Sequence, residues 1–195
     1  MATVDQDRPS RAAAQETWRT RDIVVTALIG IVFGVVFVAW NQVYAYFGFL
    51  QPSILQDWVY GVWLVPAVLA PMIIRKPGAA LFAEMLAASV SALLGSQWGP
   101  DTLLSGFMQG AAAELVFFLV RYRSWTLVVL ALAALAAAIG AWVHDWFIYY
   151  AGFAVDLQVA RLVIMGVSAI AFAALGSRAL ERALRRTGVL EGFAG

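Results

Sequence analysis

The sequence predicts an all-α membrane protein, a bundle of six transmembrane helices with both termini in the cytosol. Three observations predict it. Hydrophobic residues make up 63% of the 195 residues and charged residues only 13%, about half the charged share of an ordinary soluble domain. The apolar residues fall into six stretches divided by short polar segments. At ~20 residues per crossing, six helices and their loops use the whole length, which leaves no room for a separate soluble domain. The basic residues are also sorted. Of the 13 Lys and Arg, all except Arg161 fall on one side of a six-helix weave.

Each element follows in order. Residues 1–21 form a polar cytosolic segment carrying Arg8, Arg11, Arg19 and Arg21. The first apolar stretch covers 23–40 and extends to 44. It is too long for a signal-peptide core and no small-residue cleavage site clearly ends it, so it reads as a helix that stays in the membrane. The second stretch, 58–74, contains Pro66 and Pro71, which kink helices. The third, 79–94, is interrupted by Glu84, and the fourth, 102–120, by Gln109 and Glu114. The fifth runs over 125–143 and extends to 150; the sixth runs over 162–176 and starts near 159. The transmembrane domain therefore covers 22–180, and 181–195 is a cytosolic tail. Several stretches are slightly short, but Trp and Tyr at their ends sit at headgroup depth and complete the crossings. A β-barrel is excluded, because the stretches lack dyad alternation and are rich in Ala and Leu.

The charges test this division. Arg8, Arg11, Arg19 and Arg21 precede helix one, Arg75 and Lys76 separate two from three, Arg121 and Arg123 separate four from five, and Arg178, Arg182, Arg185 and Arg186 follow six. The positive-inside rule makes this side cytosolic; five or seven helices would destroy the agreement. The opposite side sets Asp57, Asp101, Asp145 and Asp156 against the lone Arg161. It also gathers Trp40, Tyr44, Tyr46, Trp58, Tyr60, Trp63, Trp98, Trp142, Trp146, Tyr149 and Tyr150. An interfacial belt explains any one of these aromatics. The cluster as a whole suits a mouth for a flat cation, which carboxylates would attract and ring faces would stabilise.

Ionisable groups inside a membrane are costly and mark functional candidates. Glu84 lies eight residues after Lys76 and Glu114 seven before Arg121, which places both ~10–12 Å from the cytosolic ends of their helices. Helices three and four share a short outer loop, so the two carboxylates are expected at matched depth and close together. Each is equally explained by a structural hydrogen bond to a serine, a backbone group or the other glutamate. Gln109 and Asn41 either bond a heterocyclic ligand or join helices, since an unpaired buried amide costs several kcal/mol. Gly30 and Gly34 form a G-x-x-x-G on helix one, and Ala80, Ala83, Ala87, Ser91 and Gly95 line helix three. Such faces allow close helix approach, either within the bundle or against another subunit.

Several chemistries lack their residues. There are no cysteines and one histidine, His144, which removes disulfides, iron–sulfur sites and multi-histidine metal sites. No G-x-x-x-x-G-K-[ST], H-E-x-x-H or G-x-S-x-G motif occurs, and no basic aromatic stripe points to nucleic acid. No pair of half-helices broken by Gly or Pro stands out, which disfavours a self-sufficient secondary transporter.

The run YGVWLVPAVLAPMIIRKPGAALFAE at 60–84 resembles the YkoE family, as do GSQWG at 95–99 and LLSGFMQGAAAELVF at 103–117. The likeness extends over nearly the whole chain. That family comprises substrate-binding S components of energy-coupling-factor (ECF) transporters, assigned to thiamine or its hydroxymethylpyrimidine precursor. The resemblance implies a six-helix, non-enzymatic subunit of a bacterial cytoplasmic membrane. It implies vitamin capture from outside and partnership with a transmembrane coupling subunit carrying two ATPase subunits, with no cofactor, metal or nucleic acid. Docking in such proteins uses small residues of helix one; Gly30 and Gly34 are the nearest equivalent, and they depart from the usual A-x-x-x-A.

Resemblance and topology together give the ligand-site candidates. Trp40, Trp63, Trp98, Trp142 and Tyr149 would stack on the thiazolium and aminopyrimidine rings. Glu84, Glu114 and Asp145 would supply a carboxylate, and Gln97 and Gln109 amide contacts, with Asn41 and Tyr44 at the rim. The inner-half depth of both glutamates also suits gating or subunit coupling. Three alternatives stand beside this reading: an autonomous proton-coupled carrier using Glu84 and Glu114, an intramembrane enzyme centred on His144 and Asp145, and a structural membrane subunit without a ligand.

Overall fold

A computed structural model describes residues 17–49, 53–188 and 190–191. Arg8, Arg11 and the rest of 1–16, with 189 and 192–195 of the tail, lie outside the described residues. Among the described residues all regular structure is helical. The elements are α1 (Thr20–Phe49), a 3-10 helix (Ser53–Leu64) running into α2 (Val65–Ile74), α3 (Ala79–Leu93), α4 (Asp101–Leu119), α5 (Leu127–Ile148) and α6 (Val155–Ala169). A π-helical stretch (Ile170–Gly176) then joins α6 to α7 (Ser177–Arg186). Five segments are long and apolar enough to cross a membrane: Thr20–Phe49, Ile54–Ile74, Asp101–Leu119, Leu127–Ile148 and Val155–Arg186. A further, shorter apolar helix, third in chain order, is the 15-residue α3, only about 22 Å long. Apolar side chains such as Val24, Leu28, Val35, Val163 and Val167 face outward, as in a multi-pass membrane protein whose backbone bonds are satisfied within its helices.

The second crossing is the centre of the bundle. Every residue of α2 is buried, as expected of a helix that is apolar on all sides. Its first half departs from the simple kink predicted at Pro66. Twelve residues form a 3-10 helix, far longer than the usual run of three or four. Pro66 starts the α-helical part; it has no N–H, and its ring would crowd the carbonyl four residues back. Backbone groups of this irregular segment take buried side-chain partners. Ser168 Oγ accepts from the Gly61 N–H and donates to the Trp58 carbonyl, both at 2.8 Å. The Ala67 N–H donates to Glu84 Oε2 at 3.1 Å. Gly61 lets the 3-10 helix meet α6 backbone to backbone, since a Cβ there would lie 2.2 Å from the Ser168 carbonyl oxygen. Ser168 lies two residues before the π stretch, so the irregular parts of the second and sixth crossings lie close together. The sequence shows no such matched pair, because Pro66 marks the second crossing while the sixth carries no proline.

Arg161, the lone basic residue of the acidic side, is 3% exposed. Its Nε and Nη2 donate to Asp57 at 2.9 and 3.0 Å, and its guanidinium stacks 3.4 Å from the Tyr150 ring centroid. This pair ties the 3-10 helix to α6.

Gly30 and Gly34 face α3. A Cβ on Gly34 would lie 2.5 Å from Val90 Cβ, and one on Gly30 would lie 2.9 Å from Leu86 Cβ. Both glycines are buried, so this G-x-x-x-G packs within the bundle, the first of the two roles its small residues allow. At the basic end, Glu114 accepts from the N–H groups of Gly78 and Ala80 at 2.7 and 2.9 Å and from the Tyr122 hydroxyl at 2.6 Å. It thereby caps the start of α3 and braces the loop after α4. Burial, and then the bond to Glu114, raises the Tyr122 phenol above its ordinary range. Lys76 pairs with Asp22, closing the same end.

Candidate functional site

A cavity open at its mouth lies within the bundle, walled by aromatic and apolar side chains with a few polar groups among them, as small-molecule sites are. Its walls come from regular spacings on several helices. Phe37, Asn41 and Tyr44 line it from α1; Glu84, Ala88 and Ser91 from α3; Asp101, Ser105 and Gln109 from α4. Residues three or four apart share a helix face, so each helix presents one stripe to the same space. The 3-10 helix adds Tyr60 and Trp63, the turn before α4 adds Ser96 and Trp98, and the end of α5 adds His144 and Asp145, followed by Tyr149 and Tyr150. The cavity begins at the acidic, aromatic end. It reaches Glu84, nine residues from the end of α3, about 14 Å down that helix.

Four aromatics form a box. Tyr44 stands 4.7 Å from Trp63, 5.8 Å from Trp98 and 6.1 Å from Tyr60, and Trp63 stands 5.3 Å from Trp98, measured between centroids. All these pairs are tilted or edge-on, leaving ring faces for a flat guest. At the floor, Glu84 is 1% exposed. Its Oε2 is occupied by Ala67, and Oε1 is left for whatever enters. Gln109 Nε2 donates to Ser105 Oγ at 2.7 Å, which orients the amide. Asn41 is held through Ser96, whose Oγ lies 3.4 Å from Asn41 Nδ2 and 3.2 Å from Thr102 Oγ1.

At the mouth, His144 lies between two carboxylates, with Nδ1 2.9 Å from Asp145 and Nε2 3.1 Å from Asp101. Both contacts are hydrogen bonds to ionised carboxylates only when both ring nitrogens carry protons. The Tyr149 hydroxyl donates to the other oxygen of Asp101. Burial, then this bond, raises the Tyr149 phenol above its ordinary range, so it stays a donor at physiological pH. The Tyr150 hydroxyl accepts from Gln56 at 3.0 Å. His144 commits one nitrogen to each aspartate; among the described residues no group of three or more His, Cys, Asp or Glu could hold a metal ion.

Eight sequence-derived candidates line this cavity: Asn41, Tyr44, Trp63, Glu84, Trp98, Gln109, Asp145 and Tyr149. Four do not. Trp40 donates its indole N–H to the Val59 carbonyl at 2.8 Å, and Trp142 donates to the Gln158 carbonyl at 2.9 Å. Gln97 is exposed in the turn before α4. Glu114 is engaged at the start of α3 and is not paired with Glu84; each carboxylate takes backbone N–H groups from a different segment. Tyr60, Asp101, Ser105 and His144 also line the cavity without standing among the sequence-derived ligand candidates. The signal that could have found Asp101 and Ser105 was their four-residue step to Gln109.

Residues 21–140 match the family described as "ABC-type cobalt transport system, permease component". The chain is 35% identical over 180 residues to YkoE of Bacillus subtilis (strain 168), named as an HMP/thiamine permease protein, covering 92% of this chain and 90% of that one. It also resembles a solved structure described as an S-component of an ECF transporter, with a TM-score of 0.88 and 35% identity over 91% of each chain.

Proposed function

The chain belongs to the YkoE family of ECF transporter S components, and from that premise we propose that it captures thiamine or its hydroxymethylpyrimidine part from outside a bacterial cell. The observation that carries this reading is the aromatic box of Tyr44, Tyr60, Trp63 and Trp98, with a carboxylate at its floor and two at its mouth. Thiamine offers a flat cationic thiazolium and an aminopyrimidine edge of donors and acceptors. Ring faces attract the cation. Glu84 Oε1 accepts from the exocyclic amine, and the Gln109 amide meets the ring nitrogens. The acidic end faces outward and the basic end the cytosol, as the positive-inside rule requires. Both chain ends are then cytosolic.

The subunit binds and releases; it does not hydrolyse ATP. A transmembrane coupling subunit with two ATPase subunits supplies the energy. The cobalt in the matched family's description is not the cargo favoured here, because Asp101 and Asp145 bond His144, Glu84 bonds the Ala67 N–H, and among the described residues no three such side chains converge on an ion.

Tryptophan fluorescence tests the reading. Trp63 and Trp98 line the cavity, so titrating the purified, folded protein with thiamine and, in parallel, with hydroxymethylpyrimidine is expected to give saturable quenching at nanomolar to micromolar ligand. Flat titrations for both would refute it.

A further inference from the structure

We propose that the cavity selects the unphosphorylated form of its ligand by charge, excluding phosphate esters; this rests on the vitamin-capture reading above. The charged groups on the cavity wall are Glu84, Asp101, Asp145 and His144. Three are acids, and the one basic group is already bonded to two of them. Among the described residues no Lys or Arg lines the space. The nearest guanidinium identified, Arg161, stacks against Tyr150, and it is Tyr150 that forms the wall. Arg161 is moreover engaged by Asp57 through two nitrogens.

Phosphate recognition ordinarily uses Arg forks, Lys or a helix N-terminus with open N–H groups. Here α4 does begin at the mouth, but its first turn already carries the Asp101 carboxylate. A phosphate ester would add up to two negative charges to a site whose fixed charge is already negative, inside a medium that screens poorly. Unphosphorylated thiamine brings one positive charge, and its pyrimidine alcohol brings none. Placing thiamine's amino edge on Glu84 at the floor directs its hydroxyethyl end toward Asp101 and Asp145, where the ester would sit; in hydroxymethylpyrimidine the alcohol is the amine's ring neighbour, so its ester would meet the Glu84 carboxylate instead. A phosphorylated form outside the cell would therefore need a phosphate-ester hydrolysis before uptake.

The test titrates the full-length purified protein with thiamine, thiamine monophosphate, hydroxymethylpyrimidine and its monophosphate, and repeats the series with Asp101→Asn and Asp145→Asn. In the unmodified protein each ester is expected to bind at least about a hundredfold more weakly than its parent alcohol, about 2.8 kcal/mol. The gap between thiamine and its monophosphate narrows by about tenfold in a folded variant. An ester within threefold of its parent in the unmodified protein overturns the charge selection and leaves vitamin capture standing. A gap unchanged in both folded variants also overturns it. No binding by any of the four compounds overturns the capture reading and the selectivity with it.

Discussion

Replacing Glu114 by alanine removes one carboxylate that serves four donors, three at the start of α3 and one after α4. It takes the Gly78, Ala80 and Leu81 N–H groups at the start of α3 and the Tyr122 hydroxyl after α4. A hydrogen bond to a charged group contributes about 1.5–3 kcal/mol, and losing a helix cap costs about 0.5–2 kcal/mol. The four bonds share one carboxylate, so they do not add, and the net loss should be about 3 kcal/mol. For a chain of this size that corresponds to a fall in Tm of roughly 6–12 °C. Glu114 does not line the cavity, so ligand affinity should stay within about twofold of the unmodified protein. Thermal unfolding in detergent and a ligand titration read the two quantities separately. An unchanged Tm, or a folded variant that no longer binds ligand, would refute the assignment of Glu114 as a brace. The second result would revive a carrier built on both glutamates.

Other expectations follow from the same geometry. Arg161→Met leaves Asp57 buried and unpaired and should cost about 3–5 kcal/mol, while adding Asp57→Leu should restore most of that loss; denaturation of the single and double variants measures it. Gly34→Ala drives a methyl against Val90 and the Ala87 carbonyl and should cost about 1–3 kcal/mol, whereas Val35→Ala on the outward face should cost less. Trp98→Ala should weaken ligand binding about tenfold through lost ring contact, whereas Trp142→Ala, outside the cavity, should leave affinity unchanged in a titration.

Much of the architecture was legible because a membrane reduces the choices. Twelve-residue departures aside, apolar length and the alternation of Arg clusters are enough to count six crossings, since every other count puts Arg75, Lys76, Arg121 and Arg123 on mixed sides. The centrality of the second crossing was less legible. Its hydrophobicity resembles that of its neighbours, and only packing shows that α2 is enclosed on every side. The 3-10 helix was hidden too, because Pro66 announces a break but not which conformation precedes it.

The candidate site shows the same division. The aromatics were visible as a class, but their roles depend on a rotation of a few tens of degrees about each helix. Trp40 and Trp142 point to backbone carbonyls, while Trp63 and Trp98 close the box. Glu84 and Glu114 look alike in sequence, at similar depth on adjacent helices. Their difference lies in what each meets: the N–H of Ala67 in the core for one, the loop before α3 for the other. Asp101, Ser105 and Gln109 were readable as one stripe at four-residue steps, and together they would have pointed to the wall that His144 completes.

The most direct test of the central claim is a structure of the purified protein with thiamine bound. The ligand is predicted to lie among Tyr44, Tyr60, Trp63 and Trp98, with its aminopyrimidine edge within hydrogen-bond distance of Glu84 and its other end toward Asp101 and Asp145. A ligand seated elsewhere on the bundle, or one whose amino edge faces away from Glu84, would contradict the account.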